Sequence, residues 1–326
     1  MKRFVGLILF FIAVTAHAQI EGAVTGNHWV GTWATAQQPV VRSFMPYNNN
    51  MSGRSVRQIV KVSIGGKQLR LELSNELSRE PLIIRSVYIA HATDSCAIEP
   101  SSAKHLKFNG NYNTVIPAGK SRFSDALTFD LQPLERLAIT INYDKAPRIP
   151  TVHMGSRTTS YILRGVSTPK TSFDKAFRED HWFNISAIDV FDLTAKSIAI
   201  IGNSITDGKN STNNAQNRWP DILSESLQKK HGVTDVGILN LGIGNNRVTL
   251  TGGFGFMARK RFDHDILLQR GVRTVVIFEG VNDIGATPNN KVEVVTNDLI
   301  QSYEEMIRKA KERNLRVFLG TISPFK

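Results

Sequence analysis

The chain has 326 residues, 41% of them hydrophobic and 21% charged, with a formal net charge of +12 and a single cysteine. This balance is that of a soluble globular chain with room for two ordinary domains, not of a disordered or membrane-embedded one. With Cys96 alone an internal disulfide is excluded, so stability has to come from packed cores.

The basic residues are scattered, and the densest run, Arg308 to Arg313, falls on a predicted helix where it reads as a solvated face. No nucleic-acid-binding motif accompanies the charge, so no nucleic-acid partner is expected.

The first residues read as an export signal. Lys2 and Arg3 form a basic start, Phe4 to Val14 is a short apolar run, and Ala16-His17-Ala18 fits a small-x-small cleavage site. The expected cut lies after Ala18, which leaves Gln19 as the mature N-terminus and a secreted or periplasmic protein. The apolar run is too short to span a bilayer comfortably. No cysteine follows it and no later stretch is long and apolar enough to span, so no stable membrane anchor is expected. Cys96, among Thr93, Asp94 and Ser95, reads as an incidental loop thiol, since nothing near it in sequence would activate it.

Up to about residue 192 the pattern is β. Arg57 to Ile64 is a strand that Gly65-Gly66 would turn into a hairpin. In the next strand Leu69, Leu71 and Leu73 alternate with Arg70 and Glu72, as when one face is buried. Leu82 to Ala90 follows, then Leu127, Phe129 and Leu131, then Leu137, Ile139, Ile141 and Tyr143. Several short strands without helical periodicity predict an all-β sandwich, jelly-roll-like.

From Lys196 strands alternate with helices. Ile198 to Ile201 is a short apolar strand ending at Gly202. Arg218 to Lys230 is a helix with Pro220 in its first turn, Ile222, Leu223 and Leu227 on one face, and Gly232 to close it. Val236 to Leu241 and Val272 to Phe278 are strands rich in β-branched residues. Asn297 to Asn314 is a helix with Leu299, Ile300, Tyr303, Met306, Ile307 and Ala310 on one stripe, and Leu315 to Ile322 is a fourth strand. This is a doubly wound α/β layout, in which function gathers at the carboxyl ends of the strands. The expected division is a signal peptide at 1–18, an N-terminal β-sandwich domain at 19–192 and an α/β domain at 193–326.

Three strand ends are polar and glycine-rich: Gly202 to Gly208, Asn240 to Asn246, and Gly280-Val281-Asn282-Asp283. The first is not a phosphate-binding loop, because five residues separate its glycines and Lys209 is followed by Asn210. It is not an α/β-hydrolase nucleophile elbow either, because Thr206 stands where a glycine is needed. What remains is a serine just beyond a buried strand, near a helix N-terminus whose free N–H groups favour developing negative charge. An amide such as that of Asn282 could donate to the oxyanion of acyl transfer.

These three blocks, in this order and at these intervals, resemble those of the SGNH (GDSL-type) hydrolase family, and Trp29-Val30-Gly31-Thr32-Trp33 with the β-region resembles a secreted bacterial subgroup of it. The resemblance implies a flavodoxin-like doubly wound parallel sheet and a carboxylic-ester hydrolase. Carried over, Ser204 would be the nucleophile, Asn282 the side-chain oxyanion donor, and Asn245, with Gly244 just before it, the backbone donor. The sequence departs from the family in having Asn203 for the usual Asp and Asn245 for a Gly. Asn203 is expected to support the loop, and Asn tolerates unusual φ.

The family's general base is a His in an Asp-x-x-His segment, and these 326 residues contain none. The expectation is therefore a C-terminally incomplete domain that is poorly active as it stands. His28, His91, His105, His153 and His181 lie in the β-region, His231 ends a helix, and His264 matches a non-catalytic stretch of the family. Each is expected in a surface or structural role, and Asp207 and Asp283 are expected to organise loops. No cofactor and no metal site are expected, since no cluster has ligand spacing. The substrate expected is a small-molecule or polysaccharide ester. The alternatives are a non-catalytic polysaccharide-binding module and an inactive gene fragment.

Overall fold

The computed structural model describes residues 28–322, so the predicted signal at 1–18 lies outside the described residues. The N-terminal part is β-rich and the C-terminal part is α/β with a parallel sheet.

Two large antiparallel sheets, with a small third of Trp182–Phe183, Thr151–His153 and Gln38–Pro39, build the β-rich part. One runs in the order Trp29–Ala34, Ile185–Phe191, Gly66–Ser74, Leu127–Leu131. The other contains Ser160–Arg164, Arg54–Lys61, Arg136–Lys145 and Leu82–Asp94 side by side. Leu69, Leu71 and Leu73 from the first sheet and Val56, Val60, Ile139 and Ile141 from the second meet in one buried core, the sandwich that alternation predicts. The opposite face of the first sheet is not left in water. Arg70 and Arg270 both grip the buried carboxylate of Asp189, with Nε–Oδ2 distances of 3.0 and 2.9 Å, and Arg270 belongs to the α/β part.

The hairpin expected at Gly65-Gly66 does not form. Arg54–Lys61 and Gly66–Ser74 belong to different sheets, and the chain turns a corner between them. The two glycines serve close approach instead. A Cβ on Gly65 would stand 2.4 Å from the Leu131 carbonyl oxygen, and one on Gly66 would stand 2.9 Å from the Val190 Cβ.

The parallel sheet runs Val236–Gly242, Lys196–Gly202, Val272–Phe278, Arg316–Leu319. In chain order this is 2-1-3-4, the flavodoxin-like winding. Helix Trp219–His231 covers one face, where Leu223 and Leu227 pack on Ile200, Val236 and Ile238. Its Pro220 sits in the first turn and Gly232 closes it with φ 65°. Ile222, expected on the buried face, is exposed, and Ser224 takes the buried position. Helix Val292–Glu312 covers the other face through Val295, Leu299, Met306 and Ala310, while Ile300 faces outward. It begins five residues earlier than the expected Asn297, because burial of Val295 holds a first turn whose valines are poor helix formers.

Candidate active site

The turn that carries Ser204 is built by glycines and a cap. Strand Lys196–Gly202 ends at Asn203, whose Oδ1 accepts from the Ile205 N–H at 2.9 Å and so caps the single-turn helix Ser204–Asp207. Gly208, at φ 114°, closes that turn with its N–H on the Ser204 carbonyl at 3.0 Å. Two strand-end glycines let this helix rest directly on the sheet. A Cβ on Gly202 would stand 2.1 Å from Thr206 Oγ1, and one on Gly242 would stand 2.4 Å from the Asp207 nitrogen. Ser204 opens the helix, so its N–H is one of the groups that the helix leaves without an internal partner.

The second loop follows Gly242. The Ile243 N–H donates to the Gly202 carbonyl at 3.0 Å, which ties it to the first loop. Asn245 adopts φ 51°, a left-handed conformation that asparagine tolerates. The third loop enters helix Val281–Gly285. Asn282 Nδ2 donates to the Asn246 carbonyl at 2.8 Å, which orients the amide and leaves its second hydrogen for another acceptor. Asp283 is fully buried and accepts from the N–H groups of Val248, Thr249 and Leu250 at 2.8, 2.9 and 3.1 Å.

Beneath the three loops lies a buried guanidinium. Arg261 donates to the Leu241 carbonyl at 2.7 Å, the Gly202 carbonyl at 3.1 Å and Asn246 Oδ1 at 3.1 Å, and pairs with Asp265 at 2.7 Å. One side chain thus satisfies acceptors at two strand ends and in the second loop. Glu279 lies 3.6 Å from the same guanidinium and is completely buried. Burial pushes its carboxyl up to about 7, against the opposing pull of Arg261.

Ser204, Gly244, Asn245 and Asn282 line one cleft of about 800 Å³. The structure therefore brings together the four residues singled out from the sequence. The opposite wall, which sequence reasoning did not find, comes from the β-rich part: Phe44, Met154, Arg157, Phe177, Glu179 and His181. Phe44, Phe177 and Phe254 are exposed around this cleft, and Phe177 packs on Tyr47 with ring centroids 5.2 Å apart. These residues are spread over more than a hundred positions and share no motif, so no spacing rule could have grouped them.

The histidines are engaged elsewhere. His153 Nε2 meets Asp207 Oδ1 at 2.9 Å and its Nδ1 donates to the Ala36 carbonyl at 2.8 Å. His264 bridges Asp265 and Glu76, and these two partners raise its pKa to about 10. His181 lies 3.2 Å from Asp180 Oδ1; burial lowers its pKa, but Asp180 and Glu179 outweigh that and hold it above the ordinary value. Among the described residues no histidine hydrogen-bonds Ser204.

The consecutive residues Glu179, Asp180 and His181 bring ligand-capable atoms within 4.8 Å of one another, a cluster that the spacing rules did not pick out. Both His181 nitrogens are engaged, Nδ1 by the Gly155 N–H and Nε2 at 3.2 Å from the Phe44 carbonyl. Cys96 is buried, and burial together with a hydrogen bond to Asp174 pushes its thiol up, away from nucleophilic use. Among the described residues no helix is long and apolar enough to cross a membrane.

Residues 200–326 match the family model of the GDSL-like Lipase/Acylhydrolase family. No curated protein matches the chain. Among solved structures, an acetyl xylan esterase, AlAXEase, is 22% identical over 38% of this chain and 56% of its own, with a TM-score of 0.31. AlinE4, an SGNH-hydrolase family esterase, is 18% identical over 41% and 62%, with a TM-score of 0.32. A family two carbohydrate esterase from Cellvibrio japonicus is 10% identical over 92% and 80%, with a TM-score of 0.28. The chain thus spans less than two thirds of the first two of these structures.

Proposed function

We propose that this chain, whose residues 200–326 belong to the GDSL-like lipase/acylhydrolase family, is a secreted carboxylic-ester hydrolase that uses Ser204 as its nucleophile. The observation that carries the reading is the convergence of three strand ends. Ser204, Gly244, Asn245 and Asn282 come from three separate loops and line one cleft. Secretion rests on the basic-apolar-Ala16-His17-Ala18 start of the sequence.

In this reading Ser204 Oγ attacks the ester carbonyl carbon and the carbonyl oxygen becomes an oxyanion. The Ser204 N–H, a backbone N–H of the Gly244-Asn245 turn and the second hydrogen of the Asn282 amide receive that charge. The C–O bond to the alcohol then breaks, leaving an acyl group on Ser204, and water releases it as the carboxylate. A general base takes the serine proton and returns it to the alcohol; no histidine of the described residues stands against Ser204. Without a triad member, serine hydrolases retain roughly 10³–10⁴-fold catalysis over water from the oxyanion hole and binding. Slow turnover, of which Ser204 Oγ supplies only a part, is the expected behaviour of these 326 residues.

The cleft wall favours an acylated carbohydrate. Exposed rings at Phe44, Phe177 and Phe254 offer flat apolar faces to a sugar, and Arg157 and Glu179 beside them offer donors and acceptors to its hydroxyls. The same wall also favours a second reading, a binding module that holds a polysaccharide without chemistry. A serine-directed fluorophosphonate separates the two. In the hydrolase reading the adduct maps to Ser204, whereas folded protein with no adduct there, but with carbohydrate bound equally by wild type and Ser204→Ala, supports the binding module.

A further inference from the structure

A four-residue helix has one turn of its own hydrogen bonds and is not stable without tertiary anchors. Ser204–Asp207 is such a helix. Its first anchor is the Asn203 cap, and its second is the close fit over Gly202 and Gly242. Its C-terminal residue, Asp207, has a third anchor outside the parallel sheet altogether. Oδ1 of Asp207 meets Nε2 of His153 at 2.9 Å, and His153 ends the strand Thr151–His153 of the β-rich part.

The surroundings make this contact rigid. His153 is 2% exposed and Asp207 7%. Nδ1 of His153 faces the Ala36 carbonyl, which can only accept, so Nδ1 carries a hydrogen and the ring cannot flip without losing both bonds. The Trp182 ring lies 5.6 Å from the imidazole at 34°, and the guanidinium of Arg218 stands over Trp182 on its way to Thr158 Oγ1 at 2.9 Å. The next residue, Met154, lines the Ser204 cleft. A buried polar pair of this kind is favourable only when both partners are present, and removing one leaves the other buried without its partner.

The geometry points to His153 as a positioning residue of the nucleophile helix: the β-rich part, acting through His153 and Asp207, fixes where Ser204 stands. The inference rests on the reading of Ser204 as nucleophile, and gives the β-rich part a role in the chemistry beyond forming a wall of the cleft. It contains no proton-transfer step, since His153 is committed to Ala36 and Asp207.

The test is hydrogen–deuterium exchange on the full chain, because it reads the helix whether or not turnover is fast. The amides of Asp207, Gly208 and Lys209 donate to Asn203 and Ser204 carbonyls and report the turn directly. In His153→Ala these amides are expected to exchange about tenfold faster or more, with helix Val292–Glu312 unchanged as the internal control. Asp207→Ala is expected to do the same. Asp207→Asn is expected to restore protection, because its amide can donate to Nε2 of a neutral ring still bonded to Ala36.

Protection at Asp207–Lys209 equal to wild type in folded His153→Ala would overturn the inference. So would equal acceleration in Val292–Glu312, or failure of both alanine variants to fold, since either would mean support of the whole chain. The underlying reading fails separately: if ester turnover is the same in Ser204→Ala as in wild type while the exchange result holds, His153 positions a helix that is not catalytic.

Discussion

Gly202 and Thr206 are packed so closely that a methyl group on the glycine would stand 2.1 Å from the threonine hydroxyl. The same economy recurs at Gly242, which faces the Asp207 backbone. Both contacts place the Ser204 helix on the carboxyl ends of two neighbouring parallel strands, where Ser204 lines the cleft. Gly202→Ala is therefore expected to lower stability by about 1–3 kcal/mol, the usual cost of overpacking, and to displace Ser204. Denaturant titration checks the first effect and Ser204-dependent turnover the second; an alanine variant as stable and as active as wild type would contradict the packing account.

Asp283 carries a different load. Its carboxylate receives three consecutive backbone N–H groups of the loop that follows the second block. Asp283→Ala leaves those donors buried without partners, each costing about 1–3 kcal/mol. A loss of at least ~3 kcal/mol in urea unfolding is expected, with Asp283→Asn, which keeps one acceptor oxygen, losing less.

Glu279 predicts a pH effect. Its folded-state pKa is raised from 4.5 to about 7 by burial. Between those values the folded chain holds a proton that the unfolded chain has released, so this carboxyl makes stability fall as pH rises from 4.5 through about 7. Glu279→Gln cannot ionise and lacks that contribution. Unfolding free energies of both proteins at about pH 5 and about pH 8 should show the wild type losing more stability than the variant over this window. Parallel pH profiles would contradict the burial argument.

The aromatic wall is tested through substrate binding. Truncating Phe177 or Phe254 removes apolar area from the cleft side opposite or beside Ser204. Losing ~1–2 kcal/mol of contact should raise KM for an acetylated oligosaccharide about 5–30-fold with kcat little changed, the pattern of lost uniform binding. Unchanged KM would remove the support for a sugar at this wall.

Much of the α/β part was legible because its signals are local. Ile198 to Gly202 reads as a buried strand that stops at a glycine, and the stop is where the Ser204–Asp207 helix must approach. Gly280 to Asp283 reads as a polar strand end, and it is one. The misreadings share one cause: a residue's local pattern does not reveal its tertiary neighbours. Gly65-Gly66 matches a hairpin turn, yet each glycine answers a backbone or side chain from a distant strand. Ile222 has the right spacing for the buried face of its helix, but it is exposed, and Pro220 and Ser224 are the buried positions there. His153 and Phe177 carry no motif at all, and only the fold brings them to the Ser204 loop and its cleft.

The central claim is that Ser204 is the nucleophile of an ester hydrolase, and the most direct measurement is p-nitrophenyl acetate turnover by wild type, Ser204→Ala and Asn282→Ala side by side. The account predicts slow turnover that falls in Ser204→Ala to the level the oxyanion hole and binding alone sustain. In Asn282→Ala, where one oxyanion donor is lost, it predicts a fall of about 10²–10³-fold or to the uncatalysed background. Wild-type turnover no faster than that of a correctly folded Ser204→Ala would contradict it.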